Sequence, residues 1–501
     1  MTNATDAIQS LPRVPTGIAG LDTILRGGLL QSGLYLVAGA PGSGKTVLAN
    51  QVCFNRVAAG ERAAYVTLLA EAHSRMLAHL RPLTFFDPTP IGTELVYLSA
   101  YSALPEGGLD GLLDLLRGVI RDRAATLLVL DGLGPAADVA PSDPAFRRFL
   151  SELQAYAEAY RCTIVLLSQP LDDAVLGPVA TMVDGVIELD DRDIGLLAVR
   201  ELAVRKFRGS GYLRGRHIYD ITDAGLVVHP RTEAILAASA TAAVEERARL
   251  PLGLPGLAMM LLGGLVGGST TMLLGPPGSG KTMLGLHFLA AGARAGEVGL
   301  HFGFYEQPAR LIGKADGAGL DLGRYVREGR IEIVWQAPLE EGMDALAERL
   351  LAAVRERGTR RLFIDGLDGF VRTAGYPERV GRFFTALTNE LRARDVTTIF
   401  SIELPTIVGP SLEVPIEGVS PIIENMIVLR SVEVDSRLAR LISIVKTRES
   451  DYDPAIRAFA ITARGIVVEE PFAGSGAVLT GTARSQPDEP APANGADPPR
   501  D

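Results

Sequence analysis

Cysteine is almost absent from this chain of 501 residues, which contains only Cys53 and Cys162. Two cysteines cannot form a disulfide framework, and their spacing does not match that of a metal site, so we expect two buried thiols. An excess of positive charge is also missing, because the formal net charge is −10. The chain as a whole therefore offers no electrostatic attraction to nucleic acid, although Arg205, Arg214 and Arg216 belong to a local basic cluster.

The sequence also lacks a segment typical of membrane insertion. The N-terminus has no apolar signal region. The stretch Pro251–Gly280 has no charged residue, but it contains many glycines and several prolines, and its counterpart in the first half contains Asp22 and Arg26. We therefore expect no membrane span and a soluble, cytoplasmic protein.

What the chain does contain is two complete phosphate-binding loops of the pattern G-x-x-x-x-G-K-[ST]. Glycine lets the backbone approach the phosphates, and the N-terminus of the following helix adds unpaired N–H groups. We expect Lys45 and Lys281 to reach the β- and γ-phosphates of ATP, and Thr46 and Thr282 to offer a hydroxyl to Mg²⁺. The residues predicted to bind nucleotide are Gly39, Gly42, Ser43, Gly44, Lys45 and Thr46 in the first loop, and Gly275, Gly278, Ser279, Gly280, Lys281 and Thr282 in the second.

The two loops lie within a longer internal repeat, which indicates that one domain has been duplicated. We expect a first domain over residues 1–232, a linker over 233–248, a second domain over 249–472 and a disordered tail over 473–501. The tail consists mainly of small and polar residues and proline. The glycines and leucine before the first loop that recur before the second are Gly17, Gly20, Leu21, Gly27 and Gly28, which match Gly253, Gly256, Leu257, Gly263 and Gly264.

Each half alternates apolar strand-like runs with helical stretches such as Leu109–Arg121, a pattern typical of an α/β fold with a largely parallel sheet. The strands are apolar throughout, which predicts helices on both faces of the sheet. Ligands of such sheets bind beyond the carboxyl ends of the strands, where Glu71, Asp131 and Ser168 lie. In the first half the predicted strands are Leu34–Ala38, Ala64–Leu68, Leu127–Leu130 and Thr163–Leu167.

Acidic residues follow the strands at matching places in the two halves. Asp131 and Asp365 each end an apolar strand, and we expect them to hold Mg²⁺ as Walker B carboxylates. Aspartates in ordinary turns are the alternative. Glu71 lies opposite Glu306 in the repeat, and both could orient or deprotonate the attacking water. Solvated surface glutamates remain the alternative there.

Two basic pairs recur near the ends of the halves, Lys206 with Arg208 and Lys446 with Arg448. A K-x-R pattern on a strand places both side chains on one face, which suits a two-pronged phosphate contact in cis or from a neighbouring subunit. A solvated basic edge strand is one alternative. Contacts of the Arg205–Arg216 cluster with nucleic-acid phosphates are another.

The segments "TGIAGLD", "GAPGSGKT", "LLVLDGL" and "KFRGS" together resemble the KaiC family of RecA-like ATPases, from Leu11 to about Phe472. The resemblance implies two tandem RecA-like P-loop NTPase domains, assembled as a homohexameric double ring with ATP between adjacent subunits. It implies that Glu71 and Glu306 are catalytic. It also implies that two segments reach across to the neighbour's nucleotide, namely Lys206, Phe207 and Arg208, and Lys446, Thr447 and Arg448.

The sequence departs from the family pattern at two places. The usual pair of adjacent glutamates is reduced to Glu71 alone and Glu306 alone, so one carboxylate per site remains for hydrolysis. The clock protein of this family is similar to an autokinase, whose second domain phosphorylates an adjacent serine and threonine. Ser420 and Pro421 align with that pair, so a two-site cycle is excluded and Ser420 is either a single phosphorylation site or an ordinary turn serine.

We therefore predict a Mg²⁺-dependent, oligomeric ATPase that acts as a signalling or regulatory switch, with protein partners and with serine/threonine autokinase activity in the second domain. One alternative is a RecA-like, DNA-dependent ATPase in recombination or translocation, which would be stimulated by single-stranded DNA. The other is a scaffold in which ATP drives ring assembly with little turnover.

Overall fold

Two compact units, Met1–Ile235 and Leu236–Asp501, make up the fold of the chain, and each contains one phosphate loop. Of the predicted site residues, Glu71, Ser420 and Pro421 lie outside the described part of the chain. The computed structural model describes residues 12–69, 73–170, 179–194, 197–238, 247–337, 341–404, 416, 419, 422–434, 437–448, 450–471, 474–475 and 482–485.

Strands and helices alternate through most of the first unit. Its strands are β1 (Arg13–Val14), β2 (Leu29–Leu30), β3 (Leu34–Gly39), β4 (Ala63–Thr67), β5 (Leu95–Ser99), β6 (Leu127–Asp131), β7 (Thr163–Ser168), β8 (Gly185–Ile194), β9 (Leu197–Phe207), β10 (Arg216–Thr222) and β11 (Gly225–His229). Its helices are α1 (Ala19–Ile24), α2 (Lys45–Ala58), α3 (His73–Leu80), α4 (Ala103–Arg123), α5 (Leu133–Asp138), α6 (Asp143–Tyr160) and α7 (Thr232–Ile235).

The main sheet of the first unit has the strand order β11-β10-β9-β8-β3-β7-β6-β4-β5. The six strands from β8 to β5 in this order run parallel, and β9, β10 and β11 extend the sheet in antiparallel fashion. The strand before the phosphate loop, β3, therefore lies between two parallel neighbours. The four predicted strands agree with the structure to within one residue at each end, and Asp131 and Ser168 are the last residues of their strands.

Both faces of this sheet are covered, as the apolar strands predicted. Leu34, Leu36 and Ala38 pack into one buried cluster with α4 and α6. Tyr35 and Val37 point to the other face and pack into a second cluster with α1 and α2. Because successive side chains of a strand point to opposite faces, a strand covered on both sides must be apolar at every position.

The second unit repeats this architecture. Its strands are β12 (Arg249–Leu250), β13 (Leu265–Val266), β14 (Thr270–Gly275), β15 (Gly299–Gly303), β16 (Ile331–Trp335), β17 (Arg361–Asp365), β18 (Thr397–Glu403), β19 (Asn425–Val434), β20 (Arg437–Lys446), β21 (Arg457–Thr462), β22 (Gly465–Pro471), β23 (Gly474–Ser475) and β24 (Thr482–Ser485). Its helices are α8 (Pro255–Met260), α9 (Lys281–Arg294), α10 (Pro308–Gly317), α11 (Leu322–Arg327), α12 (Met343–Arg357), α13 (Asp368–Arg372) and α14 (Val380–Ala393).

The sheet of the second unit follows the same plan, with the order β16-β15-β17-β18-β14-β19-β20-β21-β22. Strand β14 lies between the parallel strands β18 and β19. The predicted α/β fold, two tandem units with mostly parallel sheets flanked by helices, is confirmed. In the segment predicted as a disordered tail, the described residues form β23 and β24, and β24 pairs with β19.

The glycines that recur before each loop allow close packing. A Cβ atom on Gly20 would lie 1.9 Å from the carbonyl oxygen of Val228, and one on Gly256 would lie 2.9 Å from that of Val468. Helices α1 and α8 therefore pack directly against the backbones of β11 and β22. The repeated glycines reflect the same helix-to-strand contact in both units.

Both cysteines are buried and free, as expected. Burial raises the pKa of each thiol to about 12, so neither is reactive near neutral pH. No helix within the described ranges combines the length and apolar character that crossing a membrane requires.

One hydrogen bond recurs in both units with a different side chain. In the first unit, Gln51 on α2 accepts the Leu226 backbone N–H at 2.8 Å. In the second unit, His287 on α9 accepts the Ile466 backbone N–H through Nε2 at 3.0 Å. His287 is 4% exposed. Burial and the nearby charge of Arg294 lower its pKa from 6.5 to about 4, which keeps the accepting nitrogen unprotonated.

The second unit should therefore lose stability as the medium becomes acidic. Unfolded His287 takes up a proton near pH 6.5 but folded His287 only near pH 4, so stability present above the higher value is lost as the pH falls. Between about pH 7 and pH 5 we expect a loss of about 2 kcal/mol. The single tryptophan, Trp335, lies in this unit, so its fluorescence can follow denaturant unfolding at both pH values.

The control is His287→Gln, which installs the side chain that the first unit uses. This variant should keep the hydrogen bond and lose most of the pH dependence between these two values. If wild type and variant showed the same acid-induced loss of stability, another group would be responsible.

Candidate active sites

Each phosphate loop connects a central strand to a helix. The first runs from the end of β3 at Gly39 to the start of α2 at Lys45, and the second from the end of β14 at Gly275 to the start of α9 at Lys281. The residues before the lysines, Gly44 and Gly280, have φ values of 86° and 100°. Residues with a side chain rarely adopt this left-handed backbone conformation, so glycine is favoured at both positions. The strand and helix that the loop pattern requires are thus present twice.

The two loop lysines fold back over their own loops. Lys45 Nζ donates to the carbonyl oxygens of Gly39 and Ala40 at 2.6 and 2.9 Å. Lys281 Nζ donates to those of Gly275 and Pro276, both at 2.8 Å. Burial lowers the pKa of both lysines, and nearby carboxylates oppose that shift. Each ammonium lines a cavity, of about 650 Å³ in the first unit and about 480 Å³ in the second.

In the second unit, Asp365 is held by hydroxyl donors from two directions. Thr282 Oγ1 donates to Oδ2 at 2.8 Å, and Ser401 Oγ donates to Oδ1 at 2.7 Å. His301 Nε2 lies 3.8 Å from Oδ2, longer than a hydrogen bond. Burial alone would raise the pKa of Asp365, but His301 and the two hydroxyls together hold it below its usual value. Asp365 is therefore an ionised carboxylate at neutral pH.

In the first unit the matching carboxylate has a different neighbour. Tyr65 Oη donates to Asp131 Oδ2 at 2.5 Å, and burial and this carboxylate raise the pKa of the phenol. Tyr65 and His301 occupy the same register position, since each lies two residues before the residue paired with its aspartate. Both side chains therefore approach the aspartate from the neighbouring parallel strand.

The oxygen atoms of the second site are suitable ligands for a magnesium ion. The Thr282 hydroxyl and the Asp365 carboxylate lie side by side, and Mg²⁺ prefers such hard oxygen ligands together with water and substrate phosphates. Within the described ranges, no group of three or more His, Cys, Asp or Glu side chains could hold a metal ion alone. Thr46 and Asp131 line one cavity in the first unit, and their role as metal ligands stays a prediction.

Glu306 lines the cavity of the second unit, where Lys314 Nζ on α10 lies 3.2 Å from its Oε2. The match with Glu71 stays a prediction, because Glu71 lies outside the described residues. Counted from Thr67 and Gly303, which pair with Asp131 and Asp365 in the sheets, the position of Glu306 corresponds to Ala70. Glu71 lies one residue further along, so the match requires an insertion.

The basic pairs follow a β-bulge in both units. The register of β9 against β8 shifts at Arg205, and that of β20 against β19 shifts at Val445. Such an extra residue bends a strand and re-aims the side chains that follow. Lys206 and Lys446 come directly after it, whereas Arg208 and Arg448 lie beyond the strand ends. The sequence pattern predicted that each pair lies entirely on a strand, and the bulge with the early strand end corrects this.

Lys206 and Arg208 both bind backbone oxygens of their own unit. Lys206 Nζ donates to the carbonyl oxygens of Ala180 and, at 2.6 Å, of Val183. Arg208 Nη2 donates to that of Thr181 at 2.7 Å. The two cations are therefore neighbours. Lys206 donates hydrogen bonds to several backbone carbonyl groups, whereas Arg208 and Arg448 are exposed. A contact with a neighbouring subunit stays a prediction.

Sequence reasoning did not identify four side chains that shape the sites. Tyr65, His301 and Ser401 contact or approach the aspartates, and Glu403 Oε2 lies 3.9 Å from Lys281 Nζ. All four are on strands next to the one that ends in the aspartate or in the loop. Counting along parallel strands from the repeat could have indicated them, because residues level with each other share one end of the sheet.

Comparison with known proteins places these sites in a family. The sequence profile described as "ATPase: KaiC" matches residues 14–233 and 250–472, once in each unit. The chain is 24% identical over 490 residues to the circadian clock oscillator protein KaiC of Picosynechococcus sp., covering 95% of this chain and 93% of that protein.

Two further relatives align over nearly the whole chain. The protein of the same name from Parathermosynechococcus lividus is 26% identical over 491 residues, which cover 95% of this chain and 88% of that protein. The circadian clock protein KaiC3 of Synechocystis sp. is 24% identical over 496 residues, which cover 95% of each. Since the family profile spans most of both units, this chain belongs to the KaiC family of ATPases.

Proposed function

We propose that this chain is a Mg²⁺-dependent ATPase that assembles with copies of itself and acts as a cytoplasmic regulatory switch. The observation that carries the proposal is the second site. There the Lys281 ammonium, the Thr282 hydroxyl and the Asp365 carboxylate line one cavity of about 480 Å³ at the N-terminus of a helix. This combination of a cation, hard oxygen donors and backbone N–H groups suits the phosphates of ATP.

Each side chain of the second site has a distinct role in the proposal. Lys281 would bind the β- and γ-phosphates from its place over the loop. Magnesium bound by Thr282 and Asp365 would neutralise phosphate charge. Glu306 would orient the attacking water and accept its proton, and the Lys314 ammonium at 3.2 Å holds this carboxylate in the cavity.

We assign the faster hydrolysis to the second unit. Its glutamate follows the strand at the position that faces the cavity. In the first unit the equivalent position is Ala70, and Glu71 comes one residue later. Alanine at this position of the sequence supplies no carboxylate that could serve as a base.

The regulatory role rests on the relatives. Their names assign them to circadian clocks. For this chain we propose a signalling output through protein partners, with phosphorylation of a serine in the second unit as its covalent mark. A nucleic-acid function lacks such support, because the protein is acidic overall.

The test is incubation of the purified full-length protein with γ-labelled ATP and Mg²⁺, while phosphate release and labelling of the protein are measured together. We expect phosphate release that a chelator stops and that single-stranded DNA leaves unchanged, with labelled protein as the sign of autokinase activity. Release only in the presence of DNA would favour the recombinase alternative. ATP-dependent assembly without phosphate release would favour the scaffold.

A further inference from the structure

The two sites differ in charge at one position beside the phosphate loop. In the second unit, Glu403 ends β18 and pairs in register with Gly275, the first loop residue. In the first unit, Ser168 pairs with Ala38, so the next residue, Gln169, is level with Gly39. Glu403 and Gln169 are therefore equivalent, and both line the cavities of their units.

The Glu403 carboxylate faces the lysine that would bind phosphate. Its Oε2 lies 3.9 Å from Lys281 Nζ. The lysine side chain is 11% exposed and the glutamate side chain 58%, so the carboxylate lies on the open side of the ammonium. A terminal phosphate that reaches Lys281 must approach from that open side. The carboxylate and the phosphate would then compete for one cation.

Glu403 differs in this respect from other carboxylates that line the cavity. Asp368 accepts a hydrogen bond from the Tyr305 hydroxyl at 2.5 Å, and Glu306 pairs with Lys314. These groups are directed to partners on the cavity wall. Glu403 is instead directed to Lys281, the lysine expected to bind phosphate. Its neutral counterpart in the first unit, Gln169, can donate a hydrogen bond to a phosphate.

We propose that Glu403 makes the second site discriminate against ATP relative to ADP, whereas Gln169 leaves the first site without this discrimination. The inference rests on the proposed function, in which both cavities bind ATP. Both nucleotides present a β-phosphate to Lys281 and ATP adds the γ-phosphate, so the repulsion from Glu403 acts more strongly on ATP. Because the carboxylate is more than half exposed, solvent weakens the effect, and we expect a roughly tenfold change in ATP affinity.

The test uses full-length protein in which Lys45→Ala silences the first site. Dissociation constants of ADP and of a non-hydrolysable ATP analogue are measured by calorimetry with and without Glu403→Gln. The substitution should lower the dissociation constant of the ATP analogue roughly tenfold and change that of ADP little. Glu403→Asp keeps the charge and should behave like the parent, and thermal unfolding verifies that all variants are folded.

The reverse exchange tests the same idea in the other site. Here Lys281→Ala silences the second site. In that background, Gln169→Glu should raise the dissociation constant of the ATP analogue by a similar factor. Equal changes for ADP and ATP, or no change in either exchange, would overturn the inference while leaving the proposed function intact. Failure of either nucleotide to bind the second site, with or without Glu403→Gln, would overturn both.

Discussion

Replacing Lys45 and Lys281 together with alanine is expected to lower ATP hydrolysis by at least about a hundredfold, because both phosphate cations are removed. In the wild-type protein, each lysine ammonium is held over its loop by two carbonyl oxygens. Each also lines a cavity large enough for a nucleotide. Lys281→Ala alone should remove the larger share, since Glu306 faces the second cavity. Phosphate release measured at saturating ATP compares the three variants.

Nucleotide binding separates a lost site from a misfolded protein. Each single variant should still bind about one nucleotide per chain, at the intact loop, and the double variant none. Arg310, an exposed residue of α10, provides a control, because it is not among the residues that line the second cavity and Arg310→Ala removes a cation without removing a loop lysine. Normal hydrolysis by the double variant would show that the loops are not the active sites.

Replacing Arg208 and Arg448 together with alanine is expected to slow hydrolysis by about a thousandfold or more, the range found for arginines that contact a transferring phosphate. Both residues are exposed and follow a bulged strand, and Arg208 Nη2 donates to the Thr181 carbonyl oxygen at 2.7 Å. We propose that they complete the site of a neighbouring subunit. The cross-subunit role predicts that two inactive proteins can restore each other.

The complementation test mixes the Arg208→Ala, Arg448→Ala protein with the Lys45→Ala, Lys281→Ala protein by co-expression under two tags. The first supplies intact loops and the second intact arginines, so about a quarter of the interfaces in a ring would be complete. Activity should return in the doubly purified mixture. A mixture as inactive as its components would show that the arginines act within their own chain.

A neighbouring arginine provides the matched control. Arg205 is the bulge residue, and its Nε donates to Glu188 Oε2 at 2.7 Å in the same unit. Arg205→Ala removes a cation three residues from Arg208, at a group directed to the sheet of its own unit. We expect it to retain nearly normal hydrolysis. An equal loss in both variants would indicate a general effect of basic charge.

The fold and the position of the sites could be predicted because they depend on local patterns. Strands such as Leu34–Gly39 are apolar at every residue, which already indicates a sheet covered on both faces. The loop patterns fix the strand, the turn and the helix around Lys45 and Lys281. Asp131 and Asp365 were identified because an aspartate that ends a buried strand must lie at the edge where ligands bind.

The rest depends on contacts between segments that are distant in the sequence. Lys206 binds the carbonyl oxygens of Ala180, Thr181 and Val183, more than twenty positions earlier, and the K-x-R pattern contains no sign of these acceptors. The bulge at Arg205 is visible only when two strands are paired.

Only five of the 49 basic residues in this chain are lysine. They are Lys45 and Lys281 over the phosphate loops, Lys206 and Lys446 after the bulges, and Lys314 beside Glu306. Arginine keeps its proton under all ordinary conditions, whereas the lysine amine can be acylated. Any acetylation of a side-chain amine in this protein would therefore neutralise a lysine of the phosphate loops, of the bulges or of the Glu306 pair, and it would leave the ion pairs formed by arginine unchanged.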